Sequence, residues 1–157
     1  MQLEMISKPI IQDRIIYSLQ EDENTASIIG HNSINDNIII PRSIIHDTKE
    51  YIITSISDNA FNTAKMKSIQ FASDSELQTI EKDAFYNSTI DNITIPSSLI
   101  KIGEKSFSNS KIKKFQIPKN SELRIIDKQA FSFSTIESFT VPPSLIHIGE
   151  KASQYNM

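Results

Sequence analysis

Four consecutive blocks of this chain repeat one another, and that repetition limits the fold more than any single motif. Met66–Thr89, Ile90–Lys111, Ile112–Thr135 and Ile136–Met157 follow without a gap and are 24, 22, 24 and 22 residues long. Ile90–Lys111 reads IDNITIPSSLIKIGEKSFSNSK, and its neighbours are edited copies of it. Self-similarity at this period is the mark of a solenoid, in which each unit buries its apolar face only by stacking on the next.

Superimposing the blocks separates core from surface. Met66, Ile90, Ile112 and Ile136 form a first apolar column, and Ile69, Ile93, Phe115 and Phe139 a second. Phe71, Ile95, Ile117 and Val141 follow two residues later, the spacing of a β-strand. About a fifth of the chain is isoleucine, a β-branched residue that favours strands. Pro41, Pro96, Pro118 and Pro142 come next; a proline cannot donate to a ladder, so it marks where each strand stops pairing. Leu77, Leu99, Leu123 and Leu145, then Ile80, Ile102, Ile126 and Ile148, complete the aliphatic columns. Phe61, Phe85, Phe107 and Phe131 close each unit behind Ala60, Ala84, Ser106 and Ala130. The DNAF, KDAF and KQAF pieces predict a short helical turn that drives each Phe inward.

Upstream the pattern loosens. Ile38-Ile39-Ile40-Pro41 matches Ile93-Thr94-Ile95-Pro96, and Ile56–Phe61 matches Ile80–Phe85, so the first unit is a repeat stretched around Ile44–Tyr51, which predicts a loop or short hairpin. Arg14–Leu19 and Thr25–Ile29 flank the polar turn Glu21–Asn24 and predict a β-hairpin. Residues 1–37 are thus expected to be an N-terminal capping segment that covers the open end of the stack. A ligand-binding role for this hairpin is the other reading. Residues 38–157 hold about five repeats, the first stretched and the last atypical. Helical arrays with units near 46 residues are excluded, because each block carries a strand triplet and usually a proline, leaving no stretch for a helix of ten or more residues.

The frame I-x-x-I-x-I-P-x-S-L-x-x-I-G-x-x-S/A-F, best seen in Ile90–Phe107, resembles the BspA-type leucine-rich repeat of bacterial and protist surface antigens. The resemblance covers about Ile38 to the C-terminus. It implies a leucine-rich-repeat solenoid, β-rich and right-handed, with a parallel concave sheet, short helical turns on the convex side and an N-terminal β-hairpin cap. It also implies adhesion to host or matrix proteins. Where the family often has a Cys after the Phe, this chain has Ala64, Ser88, Ser110 and Ser134.

Residues that could carry chemistry do not assemble. His31, His46 and His147 are scattered, without a carboxylate or second His at ligand spacing. The serines lack a nucleophile elbow and a partnered base, and Gly103 and Gly149 stand alone and read as turn residues. Neither catalysis, nor a cofactor, nor a metal site is expected. A net charge of −3 gives no reason to expect nucleic acid, and with no cysteine there is no disulfide or thiolate chemistry. The N-terminal stretch does not read as a signal peptide, and no stretch approaches the length of a membrane span, so the expected location is cytoplasmic or surface-associated by a non-standard route. Asn87-Ser88-Thr89 and Asn92-Ile93-Thr94 are glycosylation sequons, of consequence only in a secreted chain.

Function is therefore sought on the outward strand positions. Ser68 and Gln70, Asn92 and Thr94, Lys114 and Gln116, Ser138 and Thr140 are expected to form a polar ladder on the concave surface. Beside it Lys67, Asp91, Lys113 and Glu137 alternate in sign. A solvated face with weak lateral ion pairs and a docking strip for a protein partner both fit this pattern. In the last unit Ser153 replaces the Phe, which predicts weak self-association through the C-terminal end. Two roles follow: a non-catalytic protein-interaction or adhesion module, or an intracellular scaffold.

Overall fold

The computed structural model describes residues 8–139 and 141–152. Its strands are β1 (Ile10–Gln12), β2 (Ile15–Gln20), β3 (Thr25–His31), β4 (Asn37–Ile40), β5 (Ser43–His46), β6 (Lys49–Ile56) and β7 (Lys65–Phe71). There follow β8 (Thr79–Ile80), β9 (Thr89–Thr94), β10 (Lys101–Ile102), β11 (Lys111–Gln116), β12 (Ile125–Ile126), β13 (Thr135–Ser138) and β14 (His147–Ile148). Long and short strands alternate because each repeat contributes one of each. The long ones form a five-stranded parallel sheet in the order β13-β11-β9-β7-β4. The short ones extend β6 through β8, β10, β12 and β14 into a second sheet.

Each turn of this β-solenoid sets a residue beside its counterpart in the next. Met66 pairs with Ile90 and Ile90 with Ile112; Ile80 pairs with Ile102 and Ile102 with Ile126. Both Ile90 and Ile93 are fully buried although three residues apart, so two consecutive residues between them face away from the core. Val141 and Ile148, expected in the core, are 56% and 53% exposed. They belong to the last described coil, where β14 pairs, among the described residues, with β12 alone.

At the other end β2 and β3 form the expected antiparallel hairpin, and β3 joins the sheet by parallel pairing with β6. Ile15, Tyr17, Ala26 and Ile28 of the hairpin are buried in the common core. Burial, with the Asp13 carboxylate adding to it, pushes the Tyr17 phenol up to about 12. The stretch in the first repeat is a second hairpin, β5–β6, turned at Asp47-Thr48 with φ of 48° and 65°. Two central residues at positive φ match the right-handed twist of the strands they join.

The third side of each coil corrects the expectation of helical turns: no helix occurs among the described residues. Asn59 and Thr63, Asp83 and Asn87, Lys105 and Asn109, Gln129 and Phe133 all have φ between 53° and 61°. A left-handed residue at every fourth position stops a right-handed helix from propagating. The Ala60, Asn62 and Ala64 amides close turns onto Ser57, Asn59 and Phe61 carbonyls, while those of Asn59, Phe61 and Thr63 donate to Lys82, Ala84 and Tyr86 of the next coil. The backbone thus alternates between bonding itself and bonding its neighbour. Gly103 and Gly149 do open turns, their carbonyls accepting from the Ser106 and Ala152 amides, but neither has positive φ, so the turn itself does not demand glycine. A Cβ on Gly103 would lie 2.7 Å from the Ile80 carbonyl oxygen, so close approach of the preceding coil is what requires glycine.

Inside the turns the phenylalanines stack. Phe61–Phe85, Phe85–Phe107 and Phe107–Phe131 have centroids 5.0, 4.8 and 5.3 Å apart with ring planes within 12°. Phe115 meets both Phe107 and Phe131 edge-on at 5.2 Å. Such pairs add about 0.5–1.5 kcal/mol each beyond area burial. The column ends on His31, stacked on Phe61 at 5.5 Å, with its Nδ1 buried and unpartnered among the described residues. Burial lowers its pKa.

Three outcomes are expected. Phe107→Ala lowers stability by about 3–5 kcal/mol, the cost of removing a buried aromatic between two others, read from urea unfolding. Ser106 occupies the alanine position of its column, and its buried hydroxyl has no partner among the described residues. Ser106→Ala should therefore raise stability by about 1 kcal/mol in the same assay. His31 is neutral in the fold, so its contribution is complete above the ordinary value of about 6.5 and is lost as pH falls through the lowered folded value. The melting temperature should fall between pH 7.5 and about 5.5, and His31→Phe should remove that component.

Candidate functional site

The five-stranded sheet turns one face to the core and the other outward. Because equivalent residues pair, its outward positions fall into rows that cross the strands. Asn37, Ser68, Asn92, Lys114 and Ser138 form one continuous row of paired residues. Ile39 pairs with Gln70, and Thr94 with Gln116, in a second row two residues further along the strands. Seven of the eight residues expected from the sequence thus lie in two adjacent rows, and Thr140 lies outside the described residues.

Their surroundings differ. Gln70, Asn92, Lys114, Gln116 and Ser138 are exposed, and Thr94 is half-buried. Ser68 is only 9% exposed, because its hydroxyl donates to Asn37 Oδ1 at 2.7 Å. The Thr94 hydroxyl donates to Gln116 Oε1 at 2.8 Å, tying two strands together on the outer side. Asn37 and Ile39 extend both rows by one strand and were legible in the sequence: Asn37–Pro41 carries the same frame as Asn92–Pro96. Ile39 is 69% exposed and puts an aliphatic side chain at the edge of an otherwise polar surface.

The charged row beside these is only partly paired as its alternating signs suggest. Lys113 reaches Asp91 at 3.2 Å, but Lys67 turns to Asp36 at 3.8 Å. All four side chains are between 43% and 66% exposed, so each pair contributes little to stability and can be exchanged for contacts with another molecule.

The remaining polar groups do not converge. His147 lies in the row Thr79, Lys101, Ile125, His147 on the outer side of the second sheet. His46 is 3.3 Å from Asp47 at an exposed hairpin. Among the described residues no three His, Asp or Glu side chains are grouped to hold a metal ion, and no helix is long and apolar enough to cross a membrane. The serines after each Phe are buried; those of Ser110 and Ser134 donate to the Phe107 and Phe131 carbonyls, while Ser88 Oγ has no partner among the described residues. They are packing residues. Ser153, on which the expected self-association turned, lies outside the described residues.

Comparison with known proteins agrees with this geometry. No curated protein matches the chain. Among solved structures, a leucine-rich repeat protein from Bacteroides ovatus is similar, with a TM-score of 0.74 and 25% identity over 91% of this chain and 38% of its own. The pneumococcal vaccine antigen PcpA is similar in fold, with a TM-score of 0.60 and 20% identity over 95% of this chain and 51% of its own. The chain therefore spans about half or less of the length of these proteins. The family model described as BspA type leucine rich repeat region matches residues 31–157 in 6 copies. Six tandem matches reaching from His31, the end of the aromatic column, across every coil show that the chain belongs to the BspA-type leucine-rich repeat family.

Proposed function

We propose that this chain is a non-catalytic interaction module that binds a protein partner through the outer face of its five-stranded sheet, and that it serves in adhesion. The observation that carries the reading is the row of paired residues running from Asn37 to Ser138, with the pairs Ile39–Gln70 and Thr94–Gln116 two residues further along the strands. The inner strands β7, β9 and β11, bonded on both sides, fix Ser68, Asn92 and Lys114 in position, so little backbone entropy is lost there when a partner is bound. Polar side chains at the centre with an exposed Ile39 at the edge offer hydrogen bonds and one apolar anchor. Membership of a repeat family supports an interaction role, because solenoids present extended surfaces of this kind.

Site-directed photo-crosslinking tests the choice of face. With a benzophenone amino acid at Asn92 or Lys114, the partner should crosslink; with it at Lys82, on the turn side, it should not. The double variant Asn92→Arg, Lys114→Glu should weaken capture of that partner by about tenfold or more with an unchanged melting temperature. Crosslinks from Lys82 alone, or unaltered capture by the double variant, would remove this face from consideration.

A further inference from the structure

The alternation of repeat length has a structural result at the end of the second row, two of whose residues, Gln70 and Thr94, line it. Between the last strand column and the leucine column, the 24-residue units have five residues, 72–76 and 118–122, and the 22-residue unit between them has three, 96–98. The short loop therefore lies between two longer ones. A groove of about 360 Å3 opens there, with residues 94–97 between 70–75 on one side and Pro118 and Asn120 on the other. This is at the lower end of the range for small-molecule sites, roughly 300–1,000 Å3.

Its lining is chemically uniform. Every polar side chain in it is a hydroxyl or an amide, and the apolar ones include Phe71, Ile95, Pro96 and Pro118. None is charged, although the same two long loops carry Asp74, Glu76, Lys119 and Glu122. Glu76 is turned away to Arg42 at 2.6 Å. The side chains of Ser73, Ser97 and Asn120 make no hydrogen bond to another described residue, so their donors and acceptors are open. Ser75 Oγ accepts from the Leu77 amide, which leaves its hydroxyl hydrogen free to donate. Thr94, whose hydrogen is engaged by Gln116, offers lone pairs.

We infer that this groove binds a neutral sugar. An ionic ligand would enter without a counter-charge, and a wholly apolar one would strip water from hydroxyls and amides without replacing its hydrogen bonds. A sugar ring satisfies both conditions: its hydroxyls donate and accept, as Ser, Thr, Asn and Gln do, and its C–H faces can rest on the half-buried Phe71 and Pro118. An extended peptide fits less well. Peptides that bind β-sheets gain affinity from main-chain bonds to an open strand edge, and β9, which ends in this groove, is already paired with β7 and β11. The inference rests on the groove's own lining and stands whether or not the sheet face binds a protein.

The test is an amide-resolved NMR titration of the whole chain with lactose, maltose, cellobiose and N,N′-diacetylchitobiose, each at millimolar concentration. At least one should shift residues 70–75, 94–97 and 118–120 saturably, and glucose 6-phosphate should not. Ser97→Ala and Asn120→Ala lie outside the two sheet rows and should each weaken the sugar by about fivefold to tenfold, the loss of one hydrogen bond. Neither should alter crosslinking of a protein partner at Asn92, which separates this result from the fate of the sheet face. Absence of shifts with all four sugars, shifts confined to another part of the surface, or binding that both variants leave unchanged would overturn the inference. So would a neutral Ser- and Asn-containing tetrapeptide that shifts the groove when the sugars do not.

Discussion

Backbone hydrogen bonding from each coil to the next is the interaction on which everything else in this molecule depends. On the strand sides it takes the form of parallel ladders, and on the turn side of alternate amides reaching the neighbouring coil. A buried backbone group without a partner is costly, so every coil needs a neighbour of nearly the same shape. Like then stacks on like: isoleucine on isoleucine through the strands, phenylalanine on phenylalanine through the turns. The turn conformation is held by the same bonds. Thr63, Lys105, Gln129 and Phe133 sit at positive φ without being glycine, asparagine or aspartate, at a cost of about 1 kcal/mol or more each. Bonds such as Phe107 N to Ala130 O, at 2.8 Å, offset it.

Shape repetition also explains where glycine is required. Gly103 and Gly149 occur in the 22-residue units, at the position held by Glu81 and Asp127 in the 24-residue units. A Cβ on Gly149 would lie 2.3 Å from the Lys128 amide nitrogen, and one on Gly103 2.8 Å from the Glu81 carbonyl carbon. The shorter coil is thus drawn against the coil before it, whereas the longer coil has room for a side chain. Loop length on one side and residue size on another are two expressions of one alternation.

The core columns were legible in the sequence because stacking forces the same residue type to recur at the same place. Ile90, Ile93, Ile95, Leu99, Ile102 and Phe107 are all fully buried, as the periodicity requires. What the residue types do not encode is the backbone of the turns. An alanine and a phenylalanine behind Asp or Asn suit a helical turn as well as a left-handed one, and only bonding to the next coil decides between them. His31 was missed for another reason. The insertion at Ile44–Tyr51 breaks the spacing that would have aligned it with the phenylalanines, although it stacks on Phe61 as they do on one another. The outward rows were legible as positions but not as environments: nothing local to Ser68 says that Asn37, thirty-one residues earlier, buries it.

This separation of core from surface bears on how such a chain acquires specificity. Each outward residue in a row meets mainly its counterparts one coil away, so Lys113 can pair with Asp91 while Lys67 pairs with Asp36, and neither arrangement disturbs Ile69 or Phe115 beneath. Exposed pairs of this kind contribute at most about 1 kcal/mol, so replacing them costs the fold little. The loops between the strand and leucine columns are freer still, because two added residues change a wall of the groove without changing the register of Leu77, Leu99 and Leu123, all fully buried. Recognition can therefore vary in two independent ways: by substitution along the sheet rows, and by loop length at the ends of the long strands. The broad surface and the small neutral groove share Gln70 and Thr94, and a substitution at a residue that belongs to one of them alone leaves the other intact.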